Sequence, residues 1–393
     1  MTVHYSTLTP NRQPAPHALG ELLRDSVWKA PVTLSLVAIN LIVFVVLLFA
    51  GAGLGHGSTN VQLTWGANFA PATQDGQWWR LASAMFLHFG VLHVALNMWA
   101  LVDVGRLAER LLGRSRFLLL YLASGMFGNL LSLVVQGNQA VSAGASGAVF
   151  SLYGALLVFL WRERHHVDAG EFRWLFGAAS LFALVSLGLG AAIPGIDNAA
   201  HLGGLIGGAL LCLVLARPWT ANRTPRAATA LIAGTTLATL VLLLVWRLPA
   251  PSYRLGQELR AQAAIRQFLN EDKRLSEHWD ALLVAGRQNT MSFDQLAGRI
   301  DSNITAEYLG NFEQLSALHL DQRAPSARAL EEIRRYAALR GQASHALADG
   351  LRAKDASKVT KALEQARQAP VLARQASAPR PPASTPACLA SRC

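Results

Sequence analysis

Gly144-Ala145-Ser146-Gly147-Ala148-Val149-Phe150 opens an apolar run that continues to Trp161 and stops against Arg162. At about 1.5 Å per residue such a run crosses most of a hydrocarbon core of about 30 Å. Residues 144–161 therefore read as a transmembrane helix with a serine near one end. Six further stretches of spanning length surround it, at about 32–54, 86–105, 117–136, 174–193, 199–216 and 227–246. No short apolar region ending in a small-residue cleavage site precedes the first, which reads as an anchor that stays. The expected fold class is all-α, a polytopic helical membrane protein with seven spans and a C-terminal helical region.

Composition agrees. Of 393 residues, 52% are hydrophobic and only 15% are charged, against about 25% charged in a typical soluble domain. That balance excludes an ordinary soluble enzyme, a disordered chain and a collagen-like one. The net charge of +11 resembles a nucleic-acid signature, but in a chain of long apolar runs Arg marks membrane topology, and no nucleic-acid partner is expected. Three cysteines exclude a disulfide scaffold. Cys212 reads as a small core residue within an apolar run, and Cys388 and Cys393 form the only plausible disulfide pair.

Charge also sets the orientation. One side carries Arg12, Arg24, Lys29, Arg106, Arg110, Arg114, Arg116, Arg162, Arg164, Arg173, Arg217, Arg223 and Arg226, whereas the loops on the other side carry only Arg80. Basic residues stay inside, so the N-terminus is expected in the cytoplasm. An odd number of spans then places everything after residue 247 outside. The localisation expected is the inner (cell) membrane of a bacterium. The chain divides into a cytoplasmic segment 1–30, a membrane core 31–220, a seventh helix 221–248, an extramembrane helical region 249–368 and a disordered Pro/Ala-rich tail 369–393. Stretches around 254–288, 305–320, 326–351 and 356–368 have helical apolar spacing, with helix starts at Ser292 (with Gln295) and at Pro325-Ser326.

Polar residues inside apolar spans carry the chemistry, because the bilayer makes them expensive. His88, His93 and Asn97 lie on the second stretch, Ser146 on the fourth and His201 on the sixth. Each alone has a bland reading: a Ser bonded to its own backbone, an interfacial His, a Gly-rich packing face. Three observations combine against it. The second, fourth and sixth stretches all run from outside to inside. Ser146 and His201 each lie sixteen residues from the next inner-side arginine, Arg162 and Arg217, a rise of roughly 24 Å. Gly204 and Gly208 share a helix face with His201, and Gly147 and Gly154 are seven apart on the Ser146 helix, so the two backbones can approach closely. A Ser and a His at matched depth on parallel helices can form a nucleophile–base pair. Asp197 reads as the cap of the sixth span, leaving a dyad rather than a triad. His93 and Asn97, four apart on one face, are suitable donors for an oxyanion, as is the backbone N–H of Ser146 at its helix start. A metal on His93, Asn97 and His201 is the competing reading; Asn is a poor zinc ligand and no Cys or carboxylate converges with them. No cofactor is expected.

Together these residues resemble the rhomboid family of intramembrane serine proteases. The features that carry the resemblance are Trp79-Arg80, His88, the His93-xxx-Asn97 run, Gly105 with Glu109, Gly144-Ala-Ser146-Gly147, and Ala200-His201-Leu-Gly-Gly204-xxx-Gly208. They cover about residues 32–217. The resemblance implies that Ser146 is the nucleophile and His201 the general base. It implies an oxyanion hole of His93, Asn97 and the Ser146 backbone, and transmembrane protein substrates cut in or near the bilayer. Phe150 stands where some members carry a Tyr that stacks under the catalytic His. The seventh span and the region after 249 lie outside the six-span family core. The alternative is a non-catalytic member that binds transmembrane clients.

Overall fold

The computed structural model describes residues 30–55, 57–138, 140–217 and 227–376. The chain forms two compact units, Met1–Pro251 and Ser252–Cys393. Both are helical, and the one pairing of extended backbone among the described residues is an isolated antiparallel bridge between Asn68 and Ser142.

In the first unit, α1 is Pro31–Phe49. Pro31 occupies a first-turn position where a missing N–H costs nothing. The next two donors are taken by Glu109, which accepts from Val32 N at 3.0 Å, Thr33 N at 2.7 Å and the Thr33 hydroxyl at 2.8 Å. The connection that follows holds α2 (Thr59–Trp65), α3 (Ala70–Thr73), α4 (Arg80–Ser83) and a 3-10 turn at Ala84–Phe86. The buried Arg80 ties it together by donating to the carbonyls of Leu63 (2.6 Å) and Ala67 (3.0 Å). Five long helices complete the unit: α5 (Val91–Leu112), α6 (Arg114–Gln136), α7 (Ser146–Glu163), α8 (Ala169–Ala192) and α9 (Asn198–Leu215). After them comes α10 (Ala227–Trp246).

All seven expected stretches are helices. Six of them, α1, α5, α6, α8, α9 and α10, are long and apolar enough to cross a membrane. The exception is α7, whose last turn carries Arg162 and Glu163. Thirteen of its eighteen residues are buried, so protein rather than lipid surrounds it and its sequence need not be uniformly apolar. Around it α8 and α10 expose Leu181, Leu184, Leu231, Ile232 and Leu242, an apolar exterior suited to lipid.

Several expected boundaries move, among them the end of the first span, from 54 to Phe49, and the start of the fifth, from 174 to Ala169. The second span does not run over 86–105: its helix starts at Val91 and ends at Leu112. Leu87 is extended and Gly90 sits at φ +95°, a conformation that favours glycine and breaks the helix. His88 therefore precedes the span instead of lying in it. The C-terminal tail does not begin at 369, because the last helix continues to Ala376; the alanines, leucine and arginine of that stretch are good helix formers. Residues 1–29, 218–226 and 377–393, with Cys388 and Cys393, lie outside the described residues.

Close packing of α7 on α9 is what shapes the site. A β-carbon on Gly204 would collide with the carbonyl of Gly147, one on Gly208 with the carbonyl of Ser151, and one on Gly154 with the carbonyl of Leu205. Backbones meet without intervening side chains.

The second unit comprises α11 (Leu255–Arg287), α12 (Phe293–Ile300), a π-helical turn at Asp301–Thr305, α13 (Ala306–Ser316), α14 (Ala327–Arg352) and α15 (Ala356–Ala376). It has its own core, which includes Phe268, Leu275, Trp279, Ile300, Ile304, Tyr308 and Leu347. The capping box of Ser292 and Gln295 starts α12, as the sequence indicates. Ser326 precedes α14 and is held by Glu258, which accepts from its hydroxyl at 2.5 Å and its N–H at 3.2 Å.

Gly208→Val is expected to lower the thermal midpoint in detergent strongly or to prevent accumulation of folded protein, since overpacking alone costs about 1–3 kcal/mol and here the obstacle is rigid backbone. Gly188→Val, where nothing lies within 4 Å of the added carbon, should leave the midpoint within a few degrees of wild type. Comparable midpoints for the two variants would contradict the packing account.

Candidate active site

Three helix starts converge. Ser146 is the first residue of α7, His201 the fourth of α9 and His93 the third of α5. His201 Nε2 lies 2.8 Å from Ser146 Oγ, the separation of a hydrogen-bonded nucleophile and base. His201 is buried at 7% exposure, while Ser146 is only partly buried.

Phe150, one turn after Ser146, stacks on the His201 ring with centroids 4.3 Å apart and planes 5° apart. Phe150 in turn leans on Phe182 of α8 at 6.1 Å. The ring plane of His201 is thus set by an aromatic face. No protein acceptor among the described residues reaches its Nδ1, so no carboxylate orients the imidazole from behind. Asp197 caps α9 by accepting from Ala200 N at 3.0 Å, in line with the sequence reading.

His93 stands on the other side of the serine. A β-carbon on Gly144 would lie 2.9 Å from His93 Nε2 and 3.6 Å from Ser146 Oγ, so the imidazole and the hydroxyl border the same small space. Only glycine leaves that space open, and Gly144 also sits at φ +144°. Phe89 N–H donates a long 3.4 Å bond to His93 Nδ1, which favours the tautomer with its proton on Nε2, facing that space. Asn97 is buried, and its amide donates at 2.9 Å to the His93 carbonyl one turn back; its second N–H is the one left to act on a ligand. Ser146 N–H belongs to the first turn of a helix, where donors lack an intrahelical acceptor and the dipole favours negative charge.

Sequence reasoning did not foresee several supports. His88 Nε2 accepts from Ala145 N at 3.4 Å, and its ring meets His93 edge-on at 5.1 Å. Ser142, four residues before Ser146, pairs with Asn68 through two backbone bonds of 2.8 and 2.9 Å. Asn129 receives a bond from Asn68 and donates to the Leu81 carbonyl. The segment leading into Ser146 is thereby fastened to the α1–α5 connection. Among the described residues no three His, Cys, Asp or Glu side chains group as a metal site. Chemically, the arrangement is a hydroxyl in hydrogen-bond contact with an imidazole, with N–H donors bordering the same small space.

Residues 75–218 match the model of the Rhomboid domain. The chain is 38% identical over 175 residues to Rhomboid protease GluP of Bacillus subtilis (44% of this chain, 33% of that protein). It is 39% identical over 165 residues to RHOMBOID-like protein 4 of Arabidopsis thaliana (41% of this chain, 40% of that protein). To RHOMBOID-like protein 7 of the same plant it is 31% identical over 225 residues (50% of this chain, 69% of that protein). This chain therefore spans only 33% and 40% of the first two relatives.

Phe150→Ala should slow phosphonylation of Ser146 by a fluorophosphonate reagent about 10-fold, because a loosened imidazole loses the alignment that general-base catalysis needs. Phe150→Tyr keeps the stacked ring and should react at close to the wild-type rate. Equal rates for wild type and Phe150→Ala, measured by fluorescent-probe incorporation over time, would deny the ring its orienting role.

Proposed function

Because the chain belongs to the rhomboid family, we propose that it is an intramembrane serine endopeptidase that cuts peptide bonds in or near transmembrane segments of other proteins. The 2.8 Å contact of His201 Nε2 with Ser146 Oγ carries this reading. Ser146 attacks the scissile carbonyl while His201 takes its proton. The tetrahedral oxyanion is met by Ser146 N–H, His93 Nε2–H and the free Asn97 amide N–H. Collapse of the intermediate expels the amine, which receives the proton from His201, and water then hydrolyses the acyl-enzyme by the same steps in reverse order. Phe150 and the absence, among the described residues, of a carboxylate on His201 Nδ1 support a dyad in which stacking replaces the usual third member. The reaction calls for no cofactor.

Substrate backbone must reach Ser146 in extended form, since a helix hides its carbonyls in its own hydrogen bonds. Transmembrane segments with small or helix-breaking residues near the cut are the expected clients. The basic residues Arg106, Arg110, Arg162 and Arg217 lie at or just beyond the far ends of the helices whose first turns build the site. The positive-inside rule then opens the site toward the outer face of a bacterial inner membrane, with the N-terminus in the cytoplasm. Counting α10 as a span places residues after 249 outside.

Ser146→Ala and His201→Ala should each abolish cleavage of a single-pass model substrate in proteoliposomes, and the double variant should be no worse, because the two act as one unit. His93→Ala and Asn97→Ala should each cost about 10²–10³-fold, the loss of one oxyanion donor. EDTA should leave the rate unchanged. Substantial turnover by either dyad variant would defeat the mechanism, and chelator-sensitive activity restored by zinc would favour a metal in its place.

Topology has its own test. Reporter fusions at residues 222 and 260 should report the cytoplasm and the outer compartment respectively. A cytoplasmic signal at 260 would overturn the placement of the C-terminal unit.

A further inference from the structure

Asp197 does more than cap a helix. Its Oδ1 accepts from Ala200 N at 3.0 Å, and its Oδ2 accepts from the hydroxyls of Ser142 at 2.6 Å and Ser132 at 2.5 Å. These three donors come from three places: the first turn of α9, the segment 137–145 that delivers Ser146, and α6. A carboxyl group with two oxygens accommodates three such donors. Four residues separate Asp197 from His201, and four separate Ser142 from Ser146. The Asp197–Ser142 bond therefore spans the same two chain segments as the dyad, about one residue cluster away from it.

The same segment is held from its other face. Ser142 exchanges both backbone bonds with Asn68, Gly144 N donates to the Ala84 carbonyl at 2.9 Å, and Ala145 N donates to His88. Residues 142–145 are tied, apart from the Asp197 bond, to the α1–α5 connection, while the start of the segment is held by Gly137 N on the Leu133 carbonyl and by the Asn138 amide on the Ala250 carbonyl. The carboxylate is what joins the nucleophile's approach segment to the helix of the base. A helix cap alone needs only the bond to Ala200, so the two serine hydroxyls are unexplained by capping.

We propose that Asp197 is a positioning residue for the dyad: acting through Ser142, it fixes the Ser146 approach segment against the start of α9 and so sets the Ser146–His201 distance. The inference rests on the protease reading above and deepens it. Asp197 touches neither reacting atom, and its effect should fall on the chemical step. Substrate binding and global stability should be spared wherever the cap is left intact.

Ser142→Ala tests this without disturbing the cap. Purified variants in proteoliposomes are compared for kcat, KM, thermal midpoint and fluorophosphonate labelling rate. Ser142→Ala is expected to lower kcat and the labelling rate about 10-fold, with KM within about twofold of wild type and an unchanged midpoint. Ser142→Thr, which keeps the hydroxyl, should restore both rates. Asp197→Ala should lower kcat about 10²-fold, and adding Ser142→Ala to it should change nothing further, because the bond is already lost. Wild-type rates in Ser142→Ala would overturn the inference, as would losses that multiply in the double variant or that follow the thermal midpoint. A wild-type chain that neither cleaves nor labels would overturn the protease reading and this inference together, whereas an active wild type with an unaffected Ser142→Ala overturns the inference alone.

Discussion

The contact of α7 with α9 through bare glycine backbone is the constraint on which the rest depends. Gly204 lies against the Gly147 carbonyl and Gly208 against the Ser151 carbonyl. With any side chain between them the helices would stand farther apart, and a serine on one could not reach an imidazole on the other. Helices in lipid gain little from hydrophobic burial against each other, so close van der Waals contact is also what holds them together. One feature thus serves both stability and chemistry: the interface that packs the bundle brings the helices close enough for Ser146 and His201 to meet at 2.8 Å.

Placing the site at three helix starts has a further consequence. The first turn of α7 brings a backbone N–H without an intrahelical partner and the positive end of a dipole to the serine, which favours developing negative charge. Polar groups in a bilayer are costly unless satisfied, and several around the site have definite partners. Glu109 caps α1, Arg80 gathers loop carbonyls, and Asn68, Asn129 and Ser142 tie the α1–α5 connection to the segment before Ser146. The charged and amide side chains form a scaffold around the dyad, while Phe150 supplies orientation by ring contact alone.

Much of this was legible in the sequence, for identifiable reasons. Apolar runs about twenty residues long announce helices, and the lopsided distribution of arginines sets which ends lie together. Equal spacings from Ser146 to Arg162 and from His201 to Arg217 put the two side chains at one depth. Glycine spacing said that the helices could touch. What escaped are contacts with no period to betray them. Glu109 reaches Thr33 across 76 positions, and Ser142 reaches Asp197 across 55; neither separation leaves a pattern in either segment. Hydropathy merged Leu87 and Phe89 into the second span because it weighs side chains and is blind to the backbone turn at Gly90. The Asn97 amide was read as a suitable oxyanion donor; its bond to the carbonyl four residues back, which takes one of its two N–H groups, was not foreseen. Lastly, α7 fell short of a free-standing span because a helix enclosed by others is released from the composition that lipid demands.

The central claim is that Ser146 is made nucleophilic by His201. Its most direct test is intact-mass analysis of the purified full chain after a fluorophosphonate reagent, followed by peptide mapping of the adduct. The account predicts a single phosphonyl adduct on Ser146 in the wild-type protein and essentially none in His201→Ala at the same exposure. An adduct on another residue, or undiminished modification of Ser146 in His201→Ala, would contradict it.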